Sequence, residues 1–176
     1  MSTRSPVVAA LLALVLGAGS AIAQNSPNLG QPITEADVGA WNITAMPDGT
    51  GLPPGSGTPA QGAPIYAAKC AVCHGNNGKG GSNAPVVGSP PRDPNDAPKT
   101  IANFWGFATT VFDFTKRAMP WPTPRTLSDE EVYAITAYIL AENKIIGQND
   151  VMNAQTLPKV QMPNAKNFII RFPDRI

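Results

Sequence analysis

The sequence predicts an all-α domain with an irregular segment on either side of it. The clearest helix follows Ser128, because this residue and Glu131, three positions later, form a capping box of the kind that starts helices. Apolar residues then recur on one face of that helix, at Val132, Ile135, Tyr138 and Ile139. Shorter helical patterns cover residues 61–69, 99–105 and 109–118. We therefore expect a helical domain over residues 61–146.

The helix over residues 61–69 carries two further signals. Gly62 lies four residues before Tyr66, on the same helix face, and a glycine there permits close approach of a second helix. Pro64 is expected in the first turn, where its missing N–H costs little. This helix leads directly into the cysteine pair discussed below.

The segments on either side of the domain are predicted to be irregular arms. Residues 24–60 are rich in Pro, Gly, Ser and Thr, and residues 147–176 contain prolines and no periodicity. Within the first arm, Trp41, Ile43 and Met46 are apolar. We favour packing of these side chains on the domain, and the alternative is that an exposed tryptophan contacts a partner subunit.

Residues 1–23 are expected to be a signal peptide. Arg4 supplies a positive charge, residues 7–16 are apolar, and Ala21-Ile22-Ala23 forms an A-x-A cleavage site before Gln24. The apolar run is too short for a membrane anchor. The sequence therefore predicts an exported protein without a membrane anchor.

The charge balance excludes two classes of protein. Of the 13 basic residues, Arg4 would leave with the signal peptide, and the remaining 12 balance the 12 acidic residues. A nucleic-acid-binding protein or a polybasic membrane-binding protein would carry a clear excess of positive charge. We expect neither.

The run Cys70-Ala71-Val72-Cys73-His74 predicts covalent attachment of one c-type haem. Each thiol can add to one haem vinyl group, and the two-residue gap matches the separation of the vinyl groups on a helical turn. The adjacent histidine then binds the iron from one face. The run uses both cysteines and the only histidine of the chain. Because c-type haem is attached in the periplasm of bacteria, we expect the protein there.

Three other interpretations of this run are weaker. A thioredoxin-like dithiol needs a βαβ context, and no strand pattern surrounds the run. A structural zinc site needs four ligands, and the chain has three Cys and His residues in total. A disulfide between Cys70 and Cys73 would leave the adjacent His74 without a role.

A second axial ligand must come from a methionine if the iron is six-coordinate. Met119, Met152 and Met162 follow the haem-binding run. We favour Met119, because it lies in a proline-rich loop between two helices, 45 residues after His74, whereas the other two lie beyond the last helix. Core packing is the alternative role for any of them. Trp121 is expected to form a wall of the haem pocket.

Together these residues resemble the class I monohaem cytochromes c. The marks are Gly62 and Tyr66, the Cys70–His74 run, Met119-Pro120, and Tyr138 in the last helix. The resemblance implies the class I cytochrome c fold around one covalent haem. Residues 84–88 resemble the proline-containing loop behind the proximal histidine, which implies that the Pro85 carbonyl accepts the ring N–H of His74.

Three further stretches are similar to the cytochrome c subunit of Sox sulfane dehydrogenase and to the haem subunit of sulfite dehydrogenases. They are residues 41–43 with 47–53, residues 117–121, and residues 157–164. The resemblance implies a molybdenum-cofactor subunit as electron donor and a downstream cytochrome or oxidase as acceptor. The Sox subunit is often a longer protein with two haems, and this chain has one attachment run.

The sequence therefore predicts a periplasmic cytochrome that carries single electrons, as haem subunit or acceptor of a sulfur-compound dehydrogenase. One alternative is a free-standing electron shuttle. A second is a haem enzyme such as a peroxidase, which would need an open iron face and a distal acid–base group. A third is a haem-containing interaction module whose arms matter more than its redox activity.

Overall fold

The structure is a computed structural model that describes residues 29–39, 41–93 and 98–168. The expected signal peptide lies outside these residues. The chain divides into two compact units, residues 1–38 and residues 39–176. Near the end of the first unit, a short helix begins, α1 (Glu35–Gly39), where the Asp37 carboxylate accepts the Thr34 backbone N–H at 2.8 Å.

The second unit is helical, which confirms the predicted fold class. Its helices are α2 (Pro59–Lys69), α3 (Ala71–His74), α4 (Ile101–Phe104), α5 (Ala108–Ala118) and α6 (Asp129–Glu142). Two strands of two residues each, β1 (Ser56–Gly57) and β2 (Met152–Asn153), pair antiparallel. Single 3₁₀ turns lie at Leu157–Lys159 and Ala165–Asn167. None of the helices in the described part of the chain has the length and hydropathy needed to cross a membrane.

Capping boxes begin three of these helices. The predicted one at Ser128 and Glu131 is confirmed. A second, made by Thr58 and Gln61, starts α2 two residues earlier than expected. As a result Pro64 lies inside the helix, and the expectation that it occupies the first turn was wrong. The third box starts α4 at Thr100.

Helix α6 lies at the centre of the core, with nine of its 14 residues buried. Helix α2 crosses it closely at Gly62, where an added Cβ would lie 2.6 Å from the Ala134 carbonyl carbon and 2.8 Å from the Tyr138 Cβ. Only glycine allows the two backbones this approach, as the sequence predicts. The Tyr66 and Tyr138 rings pack beside the crossing, 4.9 Å apart.

Within the second unit, parts of both arms fold onto the helices. The Tyr133 hydroxyl of α6 donates to the Pro53 carbonyl at 2.8 Å, and β1 and β2 join the two arms. Leu157 is fully buried among the core side chains. Trp41 is 76% exposed, and the Arg125 guanidinium lies over its ring, 5.6 Å from the centroid. Ile43 and Met46 are half-buried. Packing on the domain, the interpretation we favoured, therefore holds in part.

Ion pairing at the start of α6 makes the stability of the fold depend on pH. The Glu131 carboxylate accepts the Lys69 Nζ at 2.6 Å and the Ser128 backbone N–H at 2.9 Å. The hydrogen bond from Lys69, followed by that from Ser128, lowers the pKa of Glu131. A carboxyl with a lowered folded-state pKa stabilises the protein above its unfolded pKa. That contribution is lost as pH falls through the folded value.

We expect Glu131→Gln to lower the free energy of unfolding at pH 7 by up to about 1 kcal/mol, since glutamine keeps the capping box and loses the ion pair. The difference from wild type should shrink as pH falls below the ordinary glutamate value of 4.5. Urea denaturation at a series of pH values measures it. Lys69→Gln is the control, because it removes the ion pair and leaves the box intact. A Glu131→Gln deficit that is independent of pH would contradict the assignment.

Candidate functional site

The cysteines and the histidine of the haem-binding run lie on one helical turn. Cys70 ends α2, and its carbonyl accepts the backbone N–H of Cys73 at 3.1 Å and of His74 at 3.0 Å. Residues three and four positions apart share one side of such a turn. Val72, between the cysteines, is 80% exposed on another side. The sequence thus forms the compact donor set that the spacing predicts.

The ring of His74 is oriented by a backbone carbonyl. Its Nδ1 lies 2.7 Å from the Ala84 carbonyl oxygen. Because a carbonyl can only accept, we assign the proton to Nδ1, which leaves the Nε2 lone pair free to bind a metal. The expectation that the Pro85 carbonyl plays this part was wrong by one residue. The backbone N–H groups of Val86 and Val87 both bond to Gly78, and this turn leaves the Ala84 carbonyl beside the imidazole.

The loop that supplies this carbonyl is folded back onto the haem-binding run. The Asn83 N–H donates to the Cys73 carbonyl and the Gly80 N–H to the His74 carbonyl, each at 2.9 Å. Gly75 starts the loop with φ 82°, a conformation that favours glycine. The Tyr66 hydroxyl donates to the Gly75 carbonyl at 3.1 Å. Helix α2 therefore holds the loop as well as the first cysteine.

Asn143 fixes the other end of this loop, and the sequence analysis missed it. Its side-chain amide donates to the Val86 carbonyl at 3.0 Å and to the Ile139 carbonyl at 2.8 Å. Its side-chain oxygen accepts the Gly88 N–H at 3.0 Å. The residue is 5% exposed, so these bonds lie away from water. The available signal was an asparagine directly after the last apolar residues of a helix, a position where asparagine often ends helices.

The environment of the thiols does not resemble that of a reactive dithiol. Burial raises the pKa of the Cys70 thiol to about 11, whereas a redox or nucleophilic cysteine has a lowered pKa. Across residues 29–39, 41–93 and 98–168, no cluster of three or more His, Cys, Asp or Glu side chains is placed to hold a metal ion. The structure therefore gives no support to the dithiol and zinc alternatives.

The three candidate methionines differ in burial. Met152 and Met162 are each 4% exposed and belong to the core cluster. Met119 is half-buried and follows α5 directly, with its N–H donating to the Thr115 carbonyl at 3.1 Å. Met119 is therefore the least buried of the three. Cys70, Cys73, His74 and Ala84 form one group within a short stretch of the chain. Met119 lies outside this stretch, directly after α5.

These residues fit a haem. Two thiols one turn apart, an imidazole with a free Nε2 and the thioether of a half-buried methionine are the donors that a covalently bound six-coordinate haem uses. Apolar side chains near α4 and α5 are also available to a flat apolar group. Phe104 and Phe114 are about half exposed, and Trp105 packs edge-on against Phe114 at 5.5 Å. Trp121 is largely exposed, and its place in the pocket wall stays a prediction.

Known proteins support this interpretation. The sequence model of the family described as cytochrome c oxidase, cbb3-type, subunit III matches residues 57–139. The chain is also similar to the sulfane dehydrogenase SoxCD from Paracoccus pantotrophus, with 35% identity and a TM-score of 0.74. That structural match covers 85% of this chain and 73% of the other.

A curated relative is the thiosulfate dehydrogenase of Stutzerimonas stutzeri (strain A1501), 32% identical over 114 residues. The match covers 56% of this chain and 35% of the relative. The chain thus spans about a third of that enzyme's length.

We expect Asn143→Ala to lower the free energy of unfolding by about 2 kcal/mol, because it removes three hydrogen bonds made by a buried side chain and leaves the half-buried Gly88 N–H without this acceptor. Urea denaturation measures the change. Asn77 offers a matched control, since its side chain accepts only an exposed N–H, that of Lys79, and Asn77→Ala should cost about 0.5 kcal/mol or less. Equal effects of the two substitutions would contradict the role of Asn143.

Proposed function

Because the chain belongs to the class I c-type cytochromes and resembles the cytochrome c subunit of Sox sulfane dehydrogenase, we propose that it carries single electrons through one covalently bound haem c. Family membership implies haem c as the cofactor. The single observation that carries the proposal is the turn at Cys70–His74, where both thiols and an oriented imidazole meet.

Cys70 and Cys73 are proposed to hold the haem through thioether bonds to its two vinyl groups. Their position on one turn fixes both bonds relative to the imidazole of His74. The tight loop from Gly75 to Gly88 and the clamp by Asn143 keep that turn in place. Attachment at two points makes the cofactor a permanent part of the protein.

His74 and Met119 are proposed as the two side chains that would bind the haem iron. The Ala84 carbonyl fixes the tautomer of His74 and raises the basicity of Nε2. Met119 supplies a neutral thioether, which favours the reduced iron and raises the reduction potential. The haem provides reversible one-electron Fe(III)/Fe(II) chemistry when bound. With both His74 and Met119 bound to its iron, the haem would be suited to electron transfer rather than to binding a substrate such as peroxide.

The electron donor is proposed to be a molybdenum-cofactor dehydrogenase that oxidises a sulfur compound. Likeness to two sulfur-compound dehydrogenases, and extension of the structural match over 85% of the chain, support this proposal. The acceptor is proposed to be a downstream cytochrome or oxidase. We place the protein in the periplasm after removal of residues 1–23.

The partner is tested by purifying the full-length protein gently from periplasm through a C-terminal tag. We expect molybdenum to co-purify in fixed ratio with haem iron, and sulfite or thiosulfate to reduce the haem of the complex. Haem iron without molybdenum or any second subunit would contradict the dehydrogenase partner and favour a free electron shuttle.

The ligand assignment is tested by Met119→Ala in the haem-loaded protein. We expect the ferric absorption spectrum to lose the charge-transfer band of methionine-ligated haem. Met162→Leu serves as the control, since this change conserves the volume of a core side chain and should leave the spectrum unchanged. A Met119→Ala protein with the wild-type spectrum would overturn the assignment.

A further inference from the structure

The position of Met119 depends on the helix that precedes it. After Met119 the chain enters a loop in which residues 121–126 are all exposed. Arg125 of this loop lies over the Trp41 ring, 5.6 Å from the ring centroid. Met119 itself is the C-cap residue of α5, and its N–H donates to the Thr115 carbonyl at 3.1 Å. Whatever fixes the last turn of α5 therefore also helps to fix Met119.

A group of four residues ties the end of α5 to the N-terminal arm. The Asp113 carboxylate accepts the Ala45 backbone N–H through one oxygen and the Arg117 Nε through the other, both at 2.8 Å. The second guanidinium arm of Arg117 donates from Nη2 to the Thr44 hydroxyl at 2.6 Å. We call Thr44, Ala45, Asp113 and Arg117 the brace.

The brace is more than a pair of charges on a helix surface. Asp113 and Arg117 are four residues apart, a spacing at which exposed pairs contribute little. Here the Asp113 side chain is only 20% exposed, and Ala45 is buried. Each charged group also binds a segment about 70 residues away in sequence. The planar guanidinium of Arg117 donates to both Asp113 and Thr44, so it fixes the direction as well as the length of these contacts.

A neighbouring ion pair also holds the last turn of α5. Lys116 lies between Asp113 and Arg117 in the sequence and forms an ion pair with Asp129 at the start of α6. The last turn of α5 is thus tied to the N-terminal arm by one set of bonds and to α6 by another. Loss of the brace would leave the α6 tie in place, so the helix would loosen on one side without detaching.

We propose that Asp113 and Arg117 are positioning residues for Met119, and that through them residues 44–45 hold the thioether in place for ligation. The inference rests on the proposed ligation by Met119. It assigns the inner part of the N-terminal arm a role in the haem site. Breaking the brace should therefore make Met119 easier for an external ligand to displace from the haem iron.

The test measures imidazole binding to the ferric haem in the full-length protein, followed by absorbance. Asp113→Asn keeps the shape of the side chain but replaces one accepting oxygen with an NH₂ group. That group would face either the Ala45 N–H or the Arg117 Nε, and it cannot accept a hydrogen bond from either. We expect it to raise imidazole affinity about fivefold or more, the effect of losing about one net hydrogen bond. Thr44→Val removes one bond of the brace and should raise affinity about twofold to fivefold. This milder variant decides the test if Asp113→Asn does not fold.

Two further variants show whether a change in imidazole affinity is specific to the brace. Lys69→Gln breaks an ion pair of similar kind, the one to Glu131, and should leave imidazole affinity unchanged. Met119→Ala should bind imidazole far more tightly than wild type. If it binds no more tightly, the ligand assignment itself fails. If Met119→Ala binds tightly while Asp113→Asn and Thr44→Val behave as wild type, the ligand assignment stands and the brace is overturned.

Discussion

The close crossing of α2 and α6 at Gly62 is the constraint on which the rest of the structure depends. It places the end of α2, and therefore Cys70, at a fixed point on the central helix. The other end of α6 leads to Asn143, whose bonds hold the loop that runs back to His74. One helix pair thus positions both the attachment turn and the carbonyl that orients the imidazole. A change at the crossing would move both together.

The features that the sequence predicted correctly are those encoded within a few residues. The capping box at Ser128, the turn at Cys70–His74 and the glycine of the helix crossing all follow from short spacings. Asn143 was missed, because its partners in the loop lie 55 and 57 residues away, and its place at the end of a helix does not indicate them. Likeness to a family identified the loop behind His74. The choice of Ala84 over Pro85 follows from hydrogen bonds to Gly78 that no residue pattern specifies.

The arms show the limit of arguments from composition. A run rich in Pro, Gly, Ser and Thr buries too little surface to fold alone, and in this sense the prediction of irregular arms was sound. Such a run can still be ordered by the domain beside it. The bonds from Tyr133 to Pro53 and from Asn164 to Phe104, the latter at 2.6 Å, are of this kind. The first satisfies the carbonyl of Pro53, which lies outside any helix or strand, and the second satisfies the carbonyl of the last residue of α4.

The two sides of the proposed haem site are therefore stabilised differently. On the side of His74, the ligand and its carbonyl partner are ten residues apart, and most supporting bonds lie within one loop. On the side of Met119, support comes from the arm through Asp113, across 68 residues of sequence. Local bonds re-form whenever the loop folds, whereas distant ones depend on the whole unit being intact. If Met119 binds the iron as proposed, the methionine side is where changes in the arms would reach the haem, and it would link the irregular segments to the electronic properties of the cofactor.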